Sequence, residues 1–94
     1  MTQPKLDLLE LTKSKLGILS TDRDTLITAI IDGVKSELND FNNITYNSDD
    51  AALNMYISEL SCWRYQNAGN PSLPPYLRLW LNNLILRGMK TDEP

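Results

Sequence analysis

The sequence predicts an all-α fold: a small bundle of about four helices with an antiparallel central pair. Apolar residues recur at helical spacing in several segments of the 94-residue chain. Clusters of proline, glycine and asparagine separate those segments, and no stretch shows the sustained alternation of a β-strand. We therefore expect one helical domain over residues 1–94, with flexible ends at 1–3 and 89–94.

The first helix is expected to begin near Pro4 and to end at Gly17. Proline suits the first turn of a helix, where no amide donor is required, and glycine suits the residue after the last turn. Helical spacing is shown by Leu6, Leu9, Lys13 and Leu16.

The second helix, in the segment "LSTDRDTLITAIIDGVKSELNDFNN", has the strongest periodic signal in the chain. Ser20 or Thr21 is expected to cap it, with Asp22 and Asp24 in the first turn, where the helix dipole favours carboxylates. Gly33 lies inside this helix and lowers its stability relative to alanine, so we interpret it as marking a close helix crossing. The predicted core stripe consists of Leu26, Ile27, Ile30, Ile31, Val34, Leu38 and Phe41.

The third helix is expected to start at Ser48 or Asp49 and to end where "NAG" favours a C-terminal cap. Its apolar face consists of Leu53, Tyr56, Ile57, Leu60 and Trp63. "NPSLPP" then predicts an elbow, because proline is excluded from a helix interior. Pro74 or Pro75 opens a fourth helix that ends near Gly88, before the polar tail "MKTDEP".

The fourth helix has more apolar sides than one packed face requires. One half of its surface is expected to pack on helices two and three, and it consists of Tyr76, Leu77, Trp80, Leu81, Leu84 and Ile85. Leu79 and Leu86 fall on the other side, seven residues apart. Burying each would contribute roughly 1.5–3 kcal/mol, so we interpret them as a contact surface for another subunit. The alternative is that they are ordinary exposed leucines.

Charged residues flank these leucines. Arg78 and Arg87 are candidate partners for acids on an adjoining chain, since arginine is enriched where interfaces gain most of their energy. Asp22 and Asp24, at the start of the second helix, are the acids that we pair with them. The alternative is a solvated charged face.

Residues that could support catalysis are few. The chain has no histidine and one cysteine, Cys62, which is expected to be a small core residue. The carboxylate pairs Asp22–Asp24 and Asp49–Asp50 are explained by helix starts, and no metal-ligand or phosphate-loop spacing is present. We expect no enzyme activity, no metal and no cofactor.

Charge, hydropathy and cysteine content argue against nucleic-acid-binding, membrane-spanning and secreted proteins. The net charge is −3 and the basic residues are scattered, so sequence-specific nucleic-acid binding is disfavoured. No apolar run approaches the roughly 18 residues that a membrane span needs. One cysteine allows no internal disulfide, and the N-terminus does not resemble a signal peptide, so we expect an intracellular site of synthesis.

The order of these segments is similar to a known family. Leu16-Gly17-Ile18 precedes "STDRDTLI", Phe41-Asn42-Asn43 closes the long helix, and Arg64-Tyr65 closes the next, before "LPPYLRLWL". This pattern, over roughly 6–81, resembles the small head-tail connector (adaptor) proteins of tailed bacteriophages. The chain departs from the family in having Phe41 in place of tyrosine and more leucine in its last helix.

The resemblance implies a structural role in the virion. It implies a helical subunit that forms a homo-oligomeric ring of about a dozen copies under the portal, at the head-tail junction. The partners would be the portal protein and a downstream head-completion or tail protein, with assembly in the host cytoplasm. It also implies that the C-terminal segment of the chain reaches toward the portal through Met89, Lys90, Thr91 and Asp92. The competing hypothesis is a small helical adaptor or regulator that binds one protein as a monomer or dimer.

Overall fold

A computed structural model describes residues 7–70 and 72–91, with side chains as far as Arg87 apart from Pro71. The helices are α1 (Leu8–Leu16), α2 (Asp24–Asn42), α3 (Ala51–Gln66) and α4 (Pro75–Thr91). No β-strand occurs in these two ranges. The predicted all-α class and the four helices are confirmed.

Local chemistry fixes the ends of α1. The Asp7 carboxylate accepts a hydrogen bond from the Leu9 amide at 3.0 Å, satisfying one of the free donors at the start of the helix. Gly17 ends it in the left-handed conformation, with φ of 74°, as the sequence predicted. Pro4 and Leu6 lie outside the described residues.

The start of α2 differs from the prediction. The helix begins at Asp24, and Arg23 precedes it without a side-chain capping bond. Ser20 and Thr21 lie in the preceding turn, so neither caps the helix, and Asp22 also lies before its first turn. Only Asp24 occupies the first turn as predicted.

The boundaries of α3 and α4 shift by a few residues. Asp50, rather than Ser48 or Asp49, caps α3, accepting a hydrogen bond from the Leu53 amide at 3.2 Å. Pro75 opens α4 as one of the two predicted starts. Its end was predicted wrongly, because the helix continues through Thr91, three residues past Gly88.

The third helix is the centre of the fold, since α1, α2 and α4 all pack against it. Arg23, before α2, donates a hydrogen bond to Tyr65, near the end of α3, at 3.1 Å, and Glu37, late in α2, pairs with the neighbouring Arg64. The antiparallel arrangement of α2 and α3 stays a prediction. The core cluster consists of Leu8, Ile27, Ile31, Val34, Leu38, Leu53, Tyr56, Ile57, Leu60, Leu77 and Leu84.

The first helix takes a place that the sequence analysis assigned to α4. It packs on both α2 and α3, whereas α4 packs mainly on α3. Lys13 of α1 is buried and forms a 2.8 Å ion pair with Asp24. The expectation that α4 lies across both central helices is therefore corrected to packing on α3.

The α3–α4 contact is antiparallel. The rings of Tyr56 and Trp80 meet edge to face, with centroids 5.7 Å apart. Arg87, near the end of α4, pairs with Asp50, at the start of α3. None of the described helices has the length and apolarity that crossing a bilayer requires.

Candidate functional site

The outer side of α4 carries an exposed apolar strip, which we call the α4 ridge: Tyr76, Leu79, Asn83 and Leu86. At about 100° per residue these four positions share an arc of about 80°. Leu79 and Leu86 are 63% and 55% exposed. Their predicted position away from the core is confirmed, whereas Tyr76, predicted to pack inside, is exposed.

The arginines beside the α4 ridge make contacts within the chain. Arg78 donates a hydrogen bond to the carbonyl oxygen of Leu73 at 3.2 Å. Arg87 donates to both carboxylate oxygens of Asp50, at 3.2 and 2.5 Å. Arg87 therefore ties the far end of α4 to the cap of α3, leaving Arg78 beside the ridge without a carboxylate partner among the described residues.

The proposed acidic partners occupy two different environments. Asp22 is exposed in the turn before α2. Asp24 is half-buried against Lys13, whose pKa is raised by the hydrogen bond to that carboxylate. The structure does not join either aspartate to Arg78 or Arg87 within one chain.

A second exposed face, on α2, was not recognised in the sequence as a surface. Leu26 and Phe41 were predicted to be core, but they are 49% and 79% exposed. We call this the α2 outer face: Leu26, Gly33, Asp40 and Phe41, which fall within about 100° of arc. Ile30 falls within the same arc and is half-buried. The prediction failed because α1 and α3 cover only one edge of the stripe.

The end of α4 bears the residues expected to reach the portal. Met89, Lys90 and Thr91 form its last backbone turn, and Asp92 lies outside the described residues. Their contact role remains a prediction.

The thiol of Cys62 and the potential metal ligands do not form a second candidate site among the described residues. Cys62 is buried, with its sulfur 3.7 Å from the carbonyl oxygen of Thr12, and burial raises its thiol pKa. Its predicted place in the interior is confirmed, and a buried thiol of this kind is typical of a structural cysteine. Among the described residues no cluster of three potential metal ligands occurs.

An open depression between α1 and α2 has a volume of about 560 Å³. Asp7, Asp32, Lys35 and Tyr46 line its polar side. The ammonium group of Lys35 lies 4.1 Å from the centroid of the Tyr46 ring, so this cation already has an aromatic partner.

A small helical fold with exposed apolar helix faces defines a class of protein that acts through contacts with other proteins. The chain belongs to the Phage gp6-like head-tail connector protein family, which it matches over residues 7–74. This confirms the resemblance found in the sequence, and the family is structural rather than enzymatic. Comparisons with curated proteins and with solved structures find no match.

The family match stops one residue before α4 begins at Pro75. It therefore covers α1, α2, α3 and the elbow, and leaves the α4 ridge outside. The leucine-rich last helix was the departure from the family pattern noted in the sequence, and it coincides with this boundary.

Proposed function

We propose that the chain is a connector subunit that assembles into a ring of about a dozen copies beneath the portal. The ring joins the capsid vertex to the next connector or tail component at the head-tail junction, after assembly in the host cytoplasm. Membership of the head-tail connector family supports this role.

The proposed contact between neighbouring copies includes the α4 ridge. Leu79 and Leu86 lie outside the core cluster, and their exposure is the observation that carries this part of the proposal. Because each leucine is already partly covered, burying the rest of it in an interface would contribute less than the roughly 1.5–3 kcal/mol of a fully exposed leucine. Arg78 and Arg87 border the ridge, and Asp22 and Asp24 of the neighbour are their proposed acidic partners. Arg87 and Asp24 would have to exchange or share their present partners, Asp50 and Lys13.

The proposed portal contact is the end of α4, through Met89, Lys90 and Thr91, with Asp92 beyond it. Residues 89–91 lie about one turn past Leu86, so the ridge and the proposed portal contact follow one another along a single helix.

The Leu79→Asp, Leu86→Asp double variant tests the ridge. Both side chains face solvent, so the purified variant should keep its helical circular dichroism spectrum and its urea midpoint. Supplied to a parent phage that lacks this gene, it should reduce infectious particles by at least about 100-fold, because aspartate desolvation opposes the contact. Electron microscopy should show heads without tails.

Leu19→Asp is the matched control, because Leu19 is 96% exposed and lies off the ridge, between α1 and α2. It should complement the phage fully. Unfolding of the double variant would show that the leucines are core, and normal tail attachment would show that they are unused surface. Wild-type protein that is absent from purified particles would instead support the adaptor or regulator hypothesis.

A further inference from the structure

The α2 outer face has the shape of a seat for another helix. Leu26 and Phe41 border it, fifteen residues or about 22 Å apart along the helix axis, and Gly33 lies between them. The described part of the chain leaves both apolar side chains exposed. Among the described residues, α1 and α3 pack mainly on the adjacent side of α2. Within the arc of this face Ile30 is half-buried and Glu37 pairs with Arg64 of α3, whereas Leu26, Asp40 and Phe41 stay exposed.

Gly33 has no explanation inside the subunit. A Cβ atom built at this position would meet nothing within 4 Å, so none of the described segments requires a glycine there. Glycine in a helix interior lowers stability by about 1 kcal/mol relative to alanine. Among the described helices, the close crossing predicted from the sequence is therefore not found at Gly33. The missing side chain leaves a notch in the surface of α2 at this residue.

Charge identifies the helix that fits this seat. Four acids and one lysine give α2 a formal charge of −3, and two arginines and one lysine without an acid give α4 a charge of +3. Asp24, Glu37 and Arg87 already form ion pairs within the subunit, so Asp40 and Arg78 are the charges beside the two surfaces that a second copy would meet. By net charge two α2 helices repel one another, as do two α4 helices, whereas α2 against α4 is attractive. Asp40, on the α2 outer face, makes no ion pair among the described residues.

We infer that the α2 outer face of one copy receives the α4 ridge of a second copy, with Gly33 as the point of closest approach. The inference rests on the proposed ring function and names the surface that the ridge meets. The ridge spans ten residues, or about 15 Å, so it fits within the 22 Å between Leu26 and Phe41. The two surfaces differ, so the contact is head to tail and repeats from copy to copy.

Disulfide cross-linking in assembled particles tests the pairing. In a Cys62→Ser background, Ala29→Cys lies beside the α2 outer face and Asn83→Cys lies on the α4 ridge, and both positions are exposed. Copper–phenanthroline oxidation of particles carrying the double variant should give a ladder of disulfide-linked multimers on non-reducing gels. Each cysteine variant alone should give no ladder.

Thr28→Cys with Asn83→Cys is the matched control. Thr28 is also exposed but points to the opposite side of α2 from its outer face, so this pair should give no ladder. Particles that contain the Ala29→Cys, Asn83→Cys protein but yield no ladder would overturn the inference. A ladder from the Thr28→Cys pair would overturn it as well.

Gly33→Leu provides an independent measurement. Because space is open at the Cβ and leucine is the better helix former, the purified variant should be at least as stable to urea as the wild type. It should nevertheless reduce infectious particles by at least about 10-fold, because the notch is filled. Normal assembly of Gly33→Leu would contradict the seat. If Gly33→Leu assembled normally and the Leu79→Asp, Leu86→Asp variant did not, the proposed function would stand, and the ridge would meet a different surface of the neighbouring copy.

Discussion

At the residue scale, Asp50 performs two structural tasks. It accepts the Leu53 amide at the start of α3, and it pairs with Arg87 from the far end of α4. Burial raises its pKa, but the Arg87 hydrogen bond and the backbone amides outweigh burial, so the pKa lies below its ordinary value of 3.8. One carboxylate therefore links the cap of α3 to the docking of α4.

A second carboxylate links α2 to α3. The guanidinium of Arg64 donates two hydrogen bonds to Glu37, at 2.6 and 2.7 Å. These bonds hold the pKa of Glu37 below its ordinary value of 4.5, and they raise the pKa of Arg64. The bidentate geometry gives this partly exposed pair its specificity, although such pairs contribute only about 0–1 kcal/mol.

The pH dependence of stability follows from these two acids. Their folded pKa values are lowered, so their contribution is present above the ordinary values of 4.5 and 3.8 and is lost as pH falls below them. The urea midpoint should therefore drop between pH 6 and about pH 3. In Glu37→Gln and in Asp50→Asn, which also keep a polar side chain, the drop should be smaller.

Asp22→Asn is the control for this measurement, because Asp22 is exposed and makes no ion pair among the described residues. It should show the wild-type drop. Equal drops in Glu37→Gln, Asp50→Asn and wild type would mean that neither acid contributes to the acid sensitivity.

At the element scale, burial separates two residues that the sequence placed in the core together. Leu60 on α3 is 4% exposed, whereas Ile30 on α2 is half-buried. Leu60→Ala should lower the unfolding free energy by about 2–5 kcal/mol, and Ile30→Ala by clearly less, because a partly exposed site leaves a smaller cavity. Urea denaturation followed by circular dichroism measures both, and equal losses would show that Ile30 is as well packed as Leu60.

Periodicity was sufficient to predict the four helices and most of the core. Ile27, Ile31, Val34 and Leu38 recur at helical spacing, and that spacing is readable without any tertiary contact. The exposed leucines of α4 were found in the same way, because their side of the helix follows from the angle between residues. Elements with strong repeats and clear proline or glycine ends are therefore the part that the sequence determines.

Periodicity could not show which edge of a stripe is covered. Leu26 and Phe41 share the apolar stripe of α2, but α1 and α3 pack on the edge that contains Ile27 and Ile31. The nine-residue α1 gave too few repeats to indicate that it would displace α4 from α2. The exposed face of α2 thus depended on a packing choice among helices, which only the three-dimensional structure reveals.

At the scale of the whole molecule, the end of α4 gives a prediction about the portal. Removing residues 89–94 shortens α4 by three residues, beyond its contacts through Leu84 and Arg87. The truncated protein should therefore unfold at nearly the wild-type urea concentration. It should bind purified portal protein at least about 10-fold more weakly, as measured by sedimentation or biolayer interferometry.

Leu19→Asp again serves as the control, since it changes an exposed residue in a different part of the chain. Its affinity for the portal should equal that of the wild type. Unchanged binding by the truncated protein would assign the portal contact to another part of the subunit.

The packing of α4 on a single neighbour has a consequence for how the subunit opens. Because α1, α2 and α3 contact one another, they form a closed unit, whereas α4 is attached mainly through Leu77, Trp80, Leu84 and the Arg87–Asp50 pair. Release of α4 breaks its contacts with α3 and leaves the other three helices together. The backbone amides of α4 should therefore exchange hydrogen with solvent at a lower opening free energy than the amides of α1, α2 and α3. The helix that bears the proposed contacts can then also change its position on α3, as neighbouring subunits join, without unfolding the subunit.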